Sequence, residues 1–204
     1  MHVLDRPQTV KFAEPYRDGS IALERCIKQR RSVRGFRDQM LNQDQLGQLL
    51  WAAQGITCAD GKRAVPSAGA LYPLELYVAC GQVASLASGV YRYAPEGHEL
   101  LLVAPGHQRE KLVVAARDQE WIAGAPAMIC IAAVFERTTV KYGNRGCGYV
   151  YMEAGHAAEN LMLQALTLGL ATTMVGAFSD DVVKRVLHLA RNETPLCLIP
   201  IGAP

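Results

Sequence analysis

Three arginines and a hydroxyl fall within five residues of "IKQRRSVRGF": Arg30, Arg31, Ser32 and Arg34, with Lys28 just upstream. Two guanidinium forks and a hydroxyl can envelop a phosphate through charge-assisted hydrogen bonds. The same cations at the end of a helix would serve its free carbonyls and suit its dipole. A cap is the commoner use of such residues, but three arginines exceed what a cap requires. Both readings stand on this stretch alone.

A phosphate clamp needs a second half that receives the rest of the ligand. "AVPSAGALYPLELYV" offers Pro66, Ser67, Ala68, Gly69 and Ala70, a turn of small residues leading into a strand. Small side chains let a flat ring lie against backbone whose amides bond its edge. In "VGAFSDD", Gly176 and Ala177 leave strand-like sequence just ahead of a helix start, where amides can point at an acceptor atom. An ordinary loop and a plain strand-to-helix turn are the simpler readings of these two segments.

Other chemistry is weaker. His156 has Glu153 and Glu159 three residues to either side, which suggests an acid/base group or a metal ligand, but no partner helix carries a second ExxH. A histidine hydrogen-bonded at a helix interface is expected instead. "GNRGCG" has the order G-x-x-G-x-G, and the strand-like "LATTMVGAF" that follows has no acidic residue for a ribose, so a dinucleotide fingerprint is excluded. No serine sits in G-x-S-x-G, which removes the common hydrolase pattern. The six cysteines form no CxxC pair and several lie in apolar runs, so buried reduced thiols are expected.

These residues need elements to place them. "SIALERCIKQRR" reads as a helix capped by Ser20, and "NQDQLGQLLWAAQGI" as one capped by Asn42 with Leu46, Leu49, Leu50 and Ala53 at helical spacing. "LELYVAC" and "HELLLVA" read as strands, "GVYRYAPEG" as a strand and turn between them, and "PAMICIAAVF" as a strand buried on both faces. "GHQREKLVVAARD" and "SDDVVKRVLHLA" read as helices, the second capped by Ser179. "GYVYMEAGHAAENLMLQALTLGL" is the longest helix, closed near Gly169; "ATTMVGAF" reads as a strand running into a turn, and "PLCLIPIG" as the last strand. The 204 residues thus predict an N-terminal arm over 1–19 and a single α+β domain over 20–204.

Half the residues are hydrophobic and the net charge is +2, which supports a buried core and argues against a nucleic-acid binder. "MHVLDRPQTV" lacks a signal-like apolar stretch and no run approaches membrane length, so a cytoplasmic protein is expected.

Taken in order, "RRSVR", "PSAGALYPLELYV", "KYGNRGCGYVYMEAGHAAENLMLQALTLGL", "VGAFSDD" and "PLCLIPIGAP" resemble the nitroreductase-like flavoproteins, within them the SagB-type dehydrogenase branch. The resemblance runs from about residue 25 to the end. It implies an α+β fold with a central, mainly antiparallel sheet flanked by helices, and an intertwined homodimer with FMN at the interface. It implies an FMN-dependent oxidoreductase working by a ping-pong cycle, with NAD(P)H as donor and a nitro, quinone or similar acceptor. Arg30, Arg31, Ser32 and Arg34 would hold the phosphate and ribityl chain. Pro66, Ser67, Ala68, Gly69 and Leu71 would come from the partner subunit and line the flavin. Gly176 and Ala177 would offer amides toward N5 and O4, and the helix around Glu153 to Leu170 would form much of the dimer core. In "KYG", Lys141 and Tyr142 match a catalytic pair of azoline-oxidising relatives; a solvated lysine and a packing tyrosine are the alternative. The further C-terminal cation of many members is missing from "IGAP", which implies that the cluster suffices or that flavin is held more weakly. The absence of a precursor-peptide recognition domain favours a general small-molecule oxidoreductase over an azoline oxidase. A non-catalytic flavin-binding protein is the third reading.

Overall fold

The computed structural model describes residues 8–117 and 119–204. Alternation and buried apolar runs give seven strands: β1 (Thr9–Lys11), β2 (Leu74–Cys80), β3 (Gly89–Ala94), β4 (Glu99–Pro105), β5 (Ala127–Ala133), β6 (Ala171–Thr172) and β7 (Thr194–Gly202). They form one sheet in the order β1-β4-β3-β2-β5-β7-β6, and every pairing between these strands is antiparallel. The expected α+β architecture is what the chain adopts.

Among the described residues the six α-helices are α1 (Leu23–Gln29), α2 (Gln43–Gln54), α3 (Arg109–Ala115), α4 (Glu136–Tyr142), α5 (Arg145–Thr167) and α6 (Asp180–Val186). Each central strand feeds two cores because successive side chains point to opposite faces. Leu74, Leu76 and Val78 of β2, with Ile129 and Ile131 of β5, join α2 and α5 on one face. Tyr77, Ala79, Met128 and Cys130 join α3 and α6 on the other. All of β5 is buried, as its unbroken apolar run requires.

The long α5 packs one side through Val150, Ala154, Ala157, Leu161 and Ala165, spaced three or four residues apart. Leu161 is fully buried there, and truncating such a side chain to Ala costs about 2–5 kcal/mol. α2 is fixed at its start by a reciprocal cap. Asn42 Oδ1 accepts from Gln45 N at 2.7 Å, and Gln45 Oε1 accepts from Asn42 N at 3.1 Å.

Several elements differ from the sequence expectation. α1 begins at Leu23 with Ala22 as its N-cap, and Ser20 does not cap it. The cap is lost because the chain through Ser20–Ala22 has not yet entered helical geometry. The strand that opens "ATTMVGAF" is shorter than expected before the chain turns away: β6 stops at Thr172, and pairing resumes as an isolated bridge from Val175 to Leu198. The register places Thr173 opposite Pro200, which has no N–H to give to the ladder. α4 has no counterpart in the sequence reading, and α5 starts at Arg145, so "RGCG" is its first turn rather than a loop. Within the N-terminal arm, β1 pairs with β4, and Phe12 is buried in the main core. Among the described residues no helix is long and apolar enough to cross a membrane.

Candidate active site

The Pro66–Tyr72 loop is held in an uncommon conformation. Gly69, Ala70 and Tyr72 all have positive φ (64°, 55° and 45°), which non-glycine residues seldom adopt. Ser67 fixes the loop from within: its hydroxyl oxygen accepts from Tyr72 N at 2.9 Å, and its carbonyl accepts from Ala70 N at 3.0 Å. Arg137 holds the loop from α4, donating Nη1 to the Tyr72 carbonyl at 2.9 Å and Nη2 to Glu75 Oε1 at 2.6 Å. Backbone strain that surrounding contacts maintain is a mark of functional loops.

The same α4 carries Lys141 and Tyr142 to this loop. A Cβ built on Gly69 would stand 2.9 Å from Tyr142 Oη and 3.0 Å from Lys141 Nζ. The lysine ammonium also lies 5.4 Å from the Tyr142 ring centroid. Tyr142 is braced edge-on by Tyr149, with centroids 5.2 Å apart. The two helices approach closely enough because residue 146 is glycine: a Cβ there would lie 3.0 Å from Thr139 Cα. Lys141, Tyr142 and the small-residue loop, distant in sequence, therefore meet at one place.

Below the loop lies a cavity of about 250 Å³ lined by Pro66, Ser67, Ala68, Tyr149, Met152, Glu153 and His156. Glu153 is 2% exposed, and its Oε1 has no hydrogen-bond partner. Burial pushes its carboxyl up to about 7, against the opposing pull of Ser67, Arg63 and Gln54. Gln54 Nε2 is likewise buried without a partner. His156 is exposed at the rim rather than tucked into a helix interface, and no cluster of three or more metal-ligating side chains occurs among the described residues. The sequence signal for Glu153 was present: an acid on the buried stripe of a helix, between Val150 and Ala157.

The arginine cluster divides its roles. Arg31 Nη1 donates to the Lys28 and Arg30 carbonyls at 3.1 and 2.7 Å, closing α1. Arg30 faces Glu159 of α5 at 3.5 Å, a partly exposed pair. Arg34 lies over the Trp121 ring at 6.0 Å. Ser32 is bridged to Thr172 of β6, and Val33 N donates to the Thr172 carbonyl at 3.1 Å, so the cluster follows the sheet edge. Near that edge Gly176 and Ala177 are exposed, and neither amide has a backbone acceptor among the described residues. Arg30 and Arg31 line a cleft with Met162 and Leu166, whereas Pro66–Ala68 lie against Tyr149–His156. The two halves thus meet α5 at separate stations, and no described cavity is lined by both.

The match to known proteins is extensive. The model of the nitroreductase family aligns with residues 27–203. The chain belongs to the nitroreductase family. It is an oxidoreductase by that membership, and its relatives agree. The nitroreductase homologue MJ1384 of Methanocaldococcus jannaschii is 44% identical over 182 residues, 89% of this chain and 91% of that protein. The microcin B17-processing protein McbC of Escherichia coli is 28% identical over 66% of this chain, an alignment that spans 52% of McbC. A nitroreductase-family crystal structure from Ralstonia eutropha JMP134 superposes with a TM-score of 0.82 at 26% identity, covering all of this chain and 95% of that one. Within the nitroreductase family, then, both sequence and fold match over nearly the whole chain.

Proposed function

We propose that the protein is an FMN-dependent oxidoreductase acting on a small molecule, with Lys141 and Tyr142 as its proton-handling pair. The carrying observation is the convergence of Lys141 Nζ and Tyr142 Oη over the left-handed Gly69. A side chain at residue 69 would fill the space in front of both groups. FMN, held by Arg30, Arg31, Ser32 and Arg34 and lined by the Pro66–Leu71 loop, would supply hydride transfer between an NAD(P)H donor and a small-molecule acceptor in a ping-pong cycle.

The residues present fit that cofactor. Arg34 and the loosely paired Arg30 have guanidinium donors to offer a phosphate, with Ser32 exposed between them. The Gly176 and Ala177 amides have no competing backbone acceptor among the described residues. Pro66, Ser67, Ala68, Gly69 and Leu71 present small or flat surface to a ring. Because the arginines and this loop meet α5 at different stations, one complete site takes its halves from two copies of the chain. Exposed Leu23 and Ile27 on α1, and exposed Tyr151 and Met152 on α5, are apolar surface of the kind that a homodimer covers.

Within such a site Lys141 Nζ and Tyr142 Oη, both beside the open space over Gly69, would handle the proton that accompanies hydride movement. A second reading, oxidation of an azoline ring as in SagB-type dehydrogenases, draws support from the similarity to McbC and uses the same pair. The first test is the visible absorption spectrum of the purified protein after addition of FMN and desalting. A retained flavin spectrum is expected, together with a dimer in sedimentation. A colourless protein would overturn the proposal.

A further inference from the structure

At the other end of the Ser67–Tyr72 loop, Arg63, Arg92 and Arg137 converge with Glu75, Glu96 and the Tyr72 ring on a cleft of about 380 Å³. Its charges do not balance. Glu75, 13% exposed, serves two arginines: Arg137 Nη2 at 2.6 Å and Arg92 Nη1 at 3.6 Å. The Arg63 side chain is also 13% exposed, yet its ion pair is with Glu96, which is 73% exposed, at 3.6 Å. Its nearer partner is neutral, Gln54 Oε1 at 2.8 Å, and its guanidinium also lies over the Tyr72 ring, 4.7 Å from the centroid. A surface pair contributes little, and a guanidinium this far from water needs a desolvated counter-charge. The remaining acid near Arg63 is Glu153, whose carboxyl burial keeps from full ionisation at neutral pH.

Among the described residues, three cations stand against two lining carboxylates, one of them solvated, which leaves a cleft with surplus positive charge and unengaged N–H donors. A planar anion matches those donors, since a guanidinium presents two parallel N–H groups to a carboxylate. Distance to the proposed chemistry is short. Arg137 and Lys141 are four residues apart on α4, so their Cβ atoms are separated by about 5–6 Å. One helical turn thus links an anion site to the pair over Gly69.

We propose that this cleft is a substrate subsite for a carboxylate, bound between Arg63 and Arg92 so that the rest of a small acid extends along the loop toward Gly69. The placing of the reactive end rests on the catalytic reading of Lys141; the anion subsite does not. The surplus positive charge would make the cleft distinguish acidic from neutral substrates.

Equilibrium dialysis tests it, because binding is read without turnover. The probes are 4-nitrobenzoate and neutral 4-nitrobenzamide, against the full chain as purified. The benzoate is expected to bind at least about tenfold more tightly, the effect of one charge-assisted contact. Arg92→Gln, at a half-exposed position, and Arg63→Gln should each reduce that preference to about threefold or less. Lys141→Ala should leave it intact. Equal binding of the two probes, or a preference that survives Arg92→Gln or disappears in Lys141→Ala, would overturn the subsite. A protein that refuses FMN yet keeps the preference would retain the subsite and overturn only the flavin reading.

Discussion

The hydroxyl of Tyr142 stands 2.9 Å from the point that a Cβ on Gly69 would occupy, and residue 69 has φ +64°. Two separate costs therefore meet at this glycine. A side chain in the left-handed region costs roughly 1–2 kcal/mol, and crowding of Lys141 and Tyr142 comes on top of it. Gly61 isolates the first cost, because it has φ +78° with nothing within 4 Å of its virtual Cβ. Gly61→Ala and Gly69→Ala should both lower the melting temperature by about 2–8 °C. Only Gly69→Ala should also reduce turnover, since only it pushes into the proposed catalytic pair. Equal turnover in the two variants would show that the space over Gly69 is not used.

Glu153 makes stability depend on pH in a direction opposite to that of a paired carboxylate. Its folded value is raised to about 7 from an ordinary 4.5, chiefly by burial. The folded state therefore binds the proton more tightly than the unfolded chain does. The protonated group imposes no penalty below about pH 4.5; the penalty grows as pH rises toward 7 and is constant above it. At about 1.4 kcal/mol per unit, the full loss is on the order of 3 kcal/mol. Urea midpoints measured from pH 5 to pH 8 should fall across this window in the wild type. Glu153→Gln should flatten the fall and leave the variant the more stable of the two at pH 8. A slope of the same size in both proteins would remove Glu153 as its source.

The arginine cluster joined two roles that the sequence left open together. Arg31 bonds the Lys28 and Arg30 carbonyls, while among the described residues Arg34 makes a distant ring contact alone. Arg31→Ala should then cost about 0.5–1.5 kcal/mol of stability, the range for an ordinary hydrogen bond. Arg34→Ala should leave stability nearly unchanged and weaken FMN by about 1.5–3 kcal/mol, the range for a charged contact. Fluorescence titration of flavin, alongside thermal melts, separates the two effects. Flavin affinity unchanged by Arg34→Ala would assign the phosphate to other groups.

What the sequence made legible follows from how local each signal is. β5 and the α2 cap were readable because an apolar run and a four-residue box carry their own evidence. α4 was not, since "ERTTVKY" has β-branched residues at three of seven positions and no side-chain cap; it is a helix because it packs on α5 across Gly146. The site shows the same division. The composition of the Pro66–Gly69 loop could be seen in the chain, but its positive φ angles and its meeting with Lys141 are tertiary facts. Arg63, Arg92 and Arg137 come from a loop, a strand and a helix, and nothing in their spacing joins them.

Lys141 and Tyr142 carry the last prediction, because both approach Gly69 yet differ in their support. Tyr142 is packed edge-on against Tyr149, whereas Lys141 is exposed and rests beside the Tyr142 ring. Removing the lysine amine should therefore disturb chemistry without disturbing structure. Lys141→Ala is expected to lower kcat by about 100-fold or more, the lower end for a general acid or base, with flavin content unchanged. Tyr142→Phe keeps the ring packing and removes only the hydroxyl, so its effect on kcat reads the proton function alone. If the two act as one relay, the double variant should be scarcely slower than the worse single variant, because residues that work as a unit are not additive. Multiplicative losses in the double variant would mean two independent roles. Full activity in Lys141→Ala would return that lysine to the solvated surface.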